Sequence, residues 1–276
     1  MNRLFINPAS EINISKLAKR LPQSLLLIGN EGVGLSSIGK YVAELREAKP
    51  VVVLPEKDEK IDVENGIINV EIMRRLYEDT RTKPRGDRII IIDHADRMTN
   101  QAQNAFLKLL EEPGEGTYFI LVCHSISKLL PTILSRVEKI QIKNITRSQS
   151  EELLDLLEIT DKAKRNQILF MAEGLPATIT KLVNDGNFFE KSSQIVCDAR
   201  ELIRGNQYQK LQIIQKYKDN RLGALDLLLN MTKILKLSLI SNPQPEAINR
   251  LGAVLGAYDQ IKANGNIRLV LASTVI

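Results

Sequence analysis

The stretch "RIIIIDHADRMTNQAQNAFLKLLEEPGEGTYFILVC", Arg88 to Cys123, decides the fold. It opens with an unbroken β-branched run that ends in Asp93, the pattern of a central parallel strand covered on both faces. Thr99 or Asn100 is the predicted N-cap of a helix whose apolar residues recur at helical spacing until a Pro-Gly pair stops it. "TYFILVC" is a second buried strand. The stretch therefore predicts a strand-helix-strand unit of a parallel sheet.

The same alternation extends to both sides of this stretch. Further strands are predicted in "SLLLIG", "PVVVLP" and "VEKIQI", and helices in "SSIGKYVAELRE", "VEIMRRLYEDTRTK" and "SKLLPTILSR". Such alternation is typical of an α/β fold with a largely parallel sheet between two helical layers. From Ile145 onward helical periods dominate. We expect an α/β domain over residues 1–144, a small helical lid over 145–186 and a helical domain over 187–276, with Asp185-Gly186 as the second boundary.

Composition narrows the class of protein. The chain is 43% hydrophobic and 26% charged, as in ordinary soluble globular proteins. Cys123 and Cys197 are far apart and form neither a disulfide framework nor a zinc signature. No apolar run approaches the roughly 20 residues of a membrane span. We expect a soluble, unprocessed, cytoplasmic chain without a membrane partner.

The charge balance is mildly basic. Thirty-eight Lys and Arg against 33 Asp and Glu give a formal charge of +5. This bias is compatible with proximity to nucleic acid, and a solvated surface that is slightly basic explains it as well.

The loop "GNEGVG" has the frame of a phosphate-binding loop. Gly29 and Gly34 have the separation of G-x-x-x-x-G-K-[ST], in which backbone N–H groups and a helix N-terminus bind phosphate. Leu35 stands where the lysine belongs, while Ser36 keeps the hydroxyl position that would coordinate Mg²⁺. A glycine-rich turn between a strand and a helix also accounts for the match. The motif predicts a vestigial nucleotide site at most.

Asp93 is placed as a Walker-B aspartate, at the end of a buried strand. The glutamate that would orient the attacking water is replaced by His94. A neutral imidazole can act as a base, although a packed or hydrogen-bonded histidine explains this position too. The candidate residues of the vestigial nucleotide site are Gly29, Gly34, Ser36 and Asp93.

From Arg88 to Val137 the sequence resembles the clamp-loader family of AAA+ proteins. The run "NAFLKLLEEP" carries the resemblance, together with the following "FILV" and "LLPTILSR". A weaker resemblance extends from about Asn7 to Gly186. It implies a P-loop-type AAA+ fold with a three-layer parallel sheet, a helical lid and an all-α C-terminal collar that joins subunits in a ring.

The resemblance also assigns an arginine finger. In this family the Ser-Arg of an S-R-C motif, here Ser135 and Arg136 with Val137 in place of cysteine, completes the ATP site of the neighbouring subunit. A guanidinium suits this role because its fixed charge and planar donors match phosphate oxygens. Alone, Arg136 would be interpreted as a surface arginine at a helix end.

The family's motor subunits differ from this chain at several positions. They keep the P-loop lysine, an Asp-Glu pair, a polar sensor residue and a lid arginine, where this chain has Leu35, His94, Cys123-His124 and "EGLPATI". These departures predict a subunit of the bacterial DNA polymerase III clamp loader with no intrinsic ATPase and no cofactor of its own. ATP would be bound by the neighbour, and DNA polymerase activity would belong to the holoenzyme.

Partners and metals follow from the same resemblance. It implies gamma/tau and delta subunits as partners, the sliding clamp indirectly, and primer-template DNA within the assembly. The segment "REAKPVVVLPEKDEKIDVENGI" lacks the cysteines of the family's zinc module, so no metal is expected. Lys108 and the basic stretch "RTKPRGDR" (81–88) are candidate phosphate contacts, and a solvated loop explains the stretch equally well.

Two other functions are open from the sequence. The chain could itself bind or hydrolyse ATP in replication or repair, with His94 in place of the glutamate, although Leu35 argues against turnover. It could also be a monomeric nucleotide sensor or DNA-binding module. In that case apolar helical stretches such as "LDLLLNMTKILKLSL" must be buried within the chain.

Overall fold

The computed structural model describes residues 4–63, 65–80, 86–241 and 244–274. Positions 81–85 of the basic stretch lie outside the described residues. The strands are β1 (Ser24–Ile28), β2 (Val51–Val53), β3 (Glu56–Lys57), β4 (Lys60–Ile61), β5 (Arg88–Ile92), β6 (Thr117–Cys123) and β7 (Glu138–Gln141). The helices are α1 (Pro8–Lys19), α2 (Leu35–Glu44), α3 (Val70–Thr80), α4 (Asn100–Glu111), α5 (Pro131–Leu134), α6 (Arg147–Leu156), α7 (Lys162–Ala172), α8 (Pro176–Asn184), α9 (Gly186–Arg204), α10 (Gln207–Tyr217), α11 (Arg221–Ser241), α12 (Pro245–Lys262) and α13 (Ile267–Ser273).

The sheet has the order β2-β5-β6-β1-β7, and its strand pairs are all parallel. Residues 89–92 of β5 are buried because both faces of the sheet are covered. Ile90 and Ile92 pack in one apolar cluster with Phe106, whereas Ile89 and Ile91 pack in another with residues of α2. The predicted α/β architecture is confirmed.

Helix α4 is fixed at its start and along its buried face. Thr99 is the N-cap, and its hydroxyl oxygen accepts a hydrogen bond from the Ala102 N–H at 3.1 Å. Phe106 is fully buried and meets Phe119 of β6 edge to face, with ring centroids 5.2 Å apart. Glu111 is the last residue of this helix.

Two elements were not predicted. Helix α1 begins at Pro8, and the side chain of Asn7 accepts from the Ala9 N–H at 3.0 Å. Strands β3 and β4 form an antiparallel hairpin. Its two turn residues, Asp58 and Glu59, both have positive φ. This hairpin lies in the segment in which the sequence resemblance would place a zinc module.

The chain divides into two compact units, Met1–Thr180 and Lys181–Ile276. The first unit holds the sheet together with α6 and α7 of the predicted lid. The division falls inside α8, before the boundary expected at Asp185-Gly186.

The second unit is a helical bundle around an apolar core. Its fully buried members include Ala224, Leu227, Leu228, Ile261 and Leu271. Among the described residues, no helix is both long enough and apolar enough to cross a membrane.

A buried carboxylate adds a polar contact to this bundle. Asp198 is only 4% exposed and accepts hydrogen bonds from the Tyr217 hydroxyl at 2.7 Å and from the Lys216 ammonium at 2.6 Å. Burial, and next the hydrogen bond to Asp198, raises the pKa of Tyr217, so its hydroxyl remains a donor.

Candidate functional site

Several predicted site residues meet at the carboxyl ends of three neighbouring strands, β5, β6 and β1. Gly29 follows β1, and its carbonyl oxygen lies 3.0 Å from His124 Nδ1, just beyond β6. The His124 ring lies 5.3 Å from the ring of His94, which follows Asp93 beyond β5. The structure thus brings together Gly29, Asp93 and the sensor-position residues, at the edge where parallel α/β sheets bind ligands.

The loop between β1 and α2 keeps the backbone of a phosphate-binding loop. Gly32 and Gly34 have φ of +85° and +87°, and Gly34 is the N-cap of α2. These angles favour glycine because a Cβ disfavours the left-handed region. Ser36 lies half-buried in the first turn of the helix.

The interior of this loop is apolar. Leu35 is only 2% exposed and belongs to the core on this face of the sheet. A Cβ built on Gly29 would lie 3.0 Å from Val33 Cγ1 and 3.1 Å from Leu35 Cδ2. Two apolar side chains therefore pack directly against Gly29. The loop thus lacks the P-loop lysine, and the leucine in its place packs among apolar side chains.

Residues of the predicted lid contact the loop from the other side. The Ala177 N–H, in the first turn of α8, donates to the Gly32 carbonyl at 3.0 Å. A Cβ on Gly32 would lie 2.4 Å from Thr178 Oγ1. The Asn144 side chain accepts from Asn30 Nδ2 at 3.1 Å and donates to the Glu173 carbonyl at 2.9 Å. The loop is therefore held closely against this segment.

The Asp93 carboxylate forms a hydrogen bond with the backbone of His94. Asp93 is 7% exposed, and its Oδ1 accepts from the His94 N–H at 3.0 Å. Burial lowers the pKa of His94 and outweighs the raising effect of Asp93, while His124 lowers it further. The neutral imidazole is thus favoured.

The sensor position carries a buried thiol. Cys123 is fully buried. Burial, with a smaller contribution from Asp96, raises its pKa to about 11. The thiol therefore remains protonated near neutral pH and packs as a small apolar group.

Ser135 and Arg136 lie between α5 and β7. The Arg136 side chain is 39% exposed, and its Nη2 lies 2.8 Å from Glu111 Oε1 at the end of α4. Its Nη1 donates to the Thr132 carbonyl at 3.0 Å and to Ser135 Oγ at 3.4 Å. Ser135 Oγ itself donates to the Thr132 carbonyl at 3.0 Å.

This pair is on the opposite edge of the sheet from the glycine loop. Arg136 lies just before β7, whose first residue, Glu138, pairs with Leu25 near the start of β1. Gly29 follows the end of the same strand, about 13 Å further along at 3.3 Å per residue. The structure therefore does not bring Arg136 together with Gly29, Gly34, Ser36 and Asp93.

The sequence was compared with models of known protein families. Residues 9–146, half of the chain, match the model of the family described as DNA polymerase III, delta subunit. The chain belongs to this family. Its membership confirms the resemblance to AAA+ clamp loaders drawn from the stretch that ends at Val137.

Similar proteins come from bacteria and eukaryotes. The DNA polymerase III subunit delta' of Yersinia pestis is 39% identical over 87 residues, which cover 31% of this chain and 24% of that protein. Replication factor C subunit 5 of Mus musculus is 32% identical over 134 residues, covering 46% of this chain and 38% of that protein. The chain thus spans 24% and 38% of the length of these two relatives.

A solved structure extends the likeness of the fold. The DNA polymerase III gamma subunit-related protein of Thermotoga maritima superposes with a TM-score of 0.54 at 17% identity, covering 96% of this chain and 97% of that one. This likeness concerns the fold alone, and it agrees with the predicted α/β domain followed by a helical C-terminal part.

The structure also locates Lys108, the predicted DNA phosphate contact, and bears on the predicted absence of a metal site. Lys108 is exposed on α4. Within the described ranges no three His, Cys, Asp or Glu side chains are arranged to hold a metal ion. The absence of zinc stays a prediction.

The contact between loop and lid is testable with two matched glycines. Gly32→Ala and Gly34→Ala introduce the same left-handed strain, about 1–2 kcal/mol, because their φ values are nearly equal. Only the Cβ at position 32 meets Thr178, whereas at position 34 nothing lies within 4 Å. In urea unfolding we expect Gly32→Ala to be more destabilising by a further 1–3 kcal/mol or so.

Thr178→Ala removes the hydroxyl that causes this clash. It should restore part of the stability of Gly32→Ala and leave that of Gly34→Ala unchanged. Equal destabilisation by the two glycine variants would contradict the close approach.

Proposed function

We propose that this chain is a non-hydrolysing, delta-prime-like subunit of a DNA polymerase III clamp loader. It contributes Arg136 in trans to the ATP site of a neighbouring gamma/tau subunit while the sliding clamp is loaded on primed DNA. The observation that carries the proposal is the separation of Arg136 from its own glycine loop. The exposure of this arginine at the opposite edge of the sheet supports a role at another molecule's site.

The composition of the glycine loop supports the proposal that this chain does not hydrolyse ATP itself. Without the P-loop lysine, a bound triphosphate loses a charge-assisted contact of about 1.5–3 kcal/mol. Leu35 and Val33 pack against Gly29, and Thr178 lies against Gly32. His94 stands in place of the glutamate that would orient water, and burial favours its neutral form.

Arg136 has the chemistry that the role in trans requires. A guanidinium keeps its charge and presents paired N–H donors that match two phosphate oxygens. In phosphoryl transfer such a group stabilises the charge that develops on the transferred phosphoryl. Ser135 fixes the turn from which the arginine projects, through its bond to the Thr132 carbonyl.

The second unit supports assembly with gamma/tau and delta subunits. Its helices carry large apolar side chains that are mostly exposed in the isolated chain, among them Leu222 at 77%, Ile240 at 81% and Leu269 at 69%. Apolar surface of this kind is common where subunits meet. The sliding clamp and primer-template DNA would be engaged by the whole assembly, in the cytoplasm.

ATP hydrolysis by the purified chain distinguishes the proposal from the alternative that the chain is itself an ATPase. The chain alone should hydrolyse no ATP above background, and Asp93→Ala should change nothing. It should co-purify with the gamma/tau and delta subunits of the same genome and support clamp- and DNA-dependent ATPase of the complex. Robust turnover by the isolated chain that Asp93→Ala abolishes would favour an AAA+ enzyme acting on its own.

A further inference from the structure

We infer that Glu111 is a positioning residue for the arginine finger. It holds Arg136 in a resting pose on its own chain and has to release it before the guanidinium reaches a neighbour's phosphate. This inference rests on the proposed function, because it concerns the same arginine.

Both terminal nitrogens of Arg136 are engaged within the chain. Nη2 lies 2.8 Å from Glu111 Oε1, and Nη1 donates to the Thr132 carbonyl at 3.0 Å. A bidentate contact with a phosphate uses paired N–H donors of the same guanidinium. The contacts with Glu111 and Thr132 therefore compete with the contact in trans.

The two backbones that carry the pair are firmly placed. Glu111 ends α4, whose Phe106, Leu109 and Leu110 are buried. The Arg136 N–H donates to the carbonyl of the fully buried Ile133 at 2.9 Å. Since both backbones are held by core packing, exchange between the resting and engaged poses requires only side-chain rotation.

The pair is weak enough to exchange. The side chains are 39% and 51% exposed, so water and salt screen their attraction. A neighbour's triphosphate offers more negative charge than one carboxylate. The arginine thus exchanges one anionic partner for another, and Glu111 sets the fraction of time during which it is released.

ATP turnover of the reconstituted complex tests this assignment. Glu111→Gln keeps the shape of the side chain and removes its charge. We expect kcat at the neighbouring gamma/tau site to rise about 1.4- to fivefold, the range of equilibrium constants of exposed ion pairs, with KM for ATP unchanged. Glu112→Gln is the matched control, because it removes the same charge from the next, exposed position and should leave kcat unchanged.

The double variant identifies the route of the effect. If Glu111 acts through the finger, Glu111→Gln should have no effect in an Arg136→Ala background. The inference would be overturned if Glu111→Gln raised kcat by the same factor in the Arg136→Ala background as in the otherwise unchanged chain. It would also be overturned if Glu111→Gln alone left kcat unchanged or lowered it. An unaltered urea midpoint for Glu111→Gln verifies that the fold is intact.

The same experiment separates this inference from the proposed function. If Arg136→Ala leaves the ATPase of the complex unchanged, the finger itself is refuted and the role of Glu111 falls with it. If Arg136→Ala lowers the rate while Glu111→Gln does not raise it, only the role of Glu111 is refuted.

Discussion

Replacing Arg136 with alanine is expected to lower ATP turnover at the neighbouring site by about 10³- to 10⁵-fold, the usual contribution of an arginine finger. The loss is this large because alanine removes both the charge and the paired donors that stabilise the transition state. Other sites of the complex should continue to turn over. Single-turnover measurements on the assembled complex should therefore show one slow fraction, while steady-state ATPase falls partially.

Two variants serve as controls for this effect. Arg147→Ala removes another exposed, ion-paired arginine, whose Nε lies 3.0 Å from Glu151 Oε1, and should not change turnover. Arg136→Lys keeps the charge without the planar donors and should restore only part of the rate. Assembly should be unaffected in all three variants, and full activity of Arg136→Ala in an intact complex would refute the finger.

Phe106→Ala is expected to destabilise the first unit by about 3–5 kcal/mol. Phe106 is fully buried between α4 and the sheet and packs edge to face on Phe119. Alanine leaves a cavity that the surrounding strands cannot close, and the aromatic pair is lost as well. The first unfolding transition in urea, followed by circular dichroism, should move to lower denaturant concentration.

Lys108→Ala is the matched control on the same helix. Its side chain is exposed, so the free energy of unfolding should change by no more than about 0.5 kcal/mol. The loss of stability in Phe106→Leu should lie between those of Phe106→Ala and Lys108→Ala, because leucine fills part of the space left by phenylalanine. A loss below about 1 kcal/mol for Phe106→Ala would contradict the tight packing of α4.

The sheet could be predicted from sequence because its signals are local. The unbroken run at Ile89–Ile92 indicates a strand covered on both faces, and the structure buries all four residues. The sequence predicts Thr99 or Asn100 as the cap of α4, and the Thr99 side chain makes the capping bond. The periodicity of α4 correctly placed Phe106 on the buried face.

The elements that were missed have weaker local signals. Helix α1 has exposed polar and charged residues on most of its surface, so no apolar period stands out. The β3-β4 hairpin turns at Asp58-Glu59, which lacks the glycine or asparagine typical of such turns. Its strands are two residues each, too short to show an alternating pattern.

At the site, the sequence predicts candidate residues but not the residues that they contact. Gly29, Asp93 and His124 could be expected together because parallel strands end at one edge. Neither the ion pair of Glu111 with Arg136 nor the contact of Thr178 with Gly32 has a spacing that reveals it. Both join residues distant in sequence, and only the folded backbone brings them near.

The apolar packing of Leu35 bears on whether this subunit could regain what its loop has lost. A lysine restored at position 35 by one substitution would have to leave a site that is 2% exposed, or else give up its charge there. Thr178 would still lie against Gly32, and His94 would still follow Asp93. If the proposed function holds, a single substitution at position 35 is therefore not expected to make this subunit independent of the ATP of its neighbours.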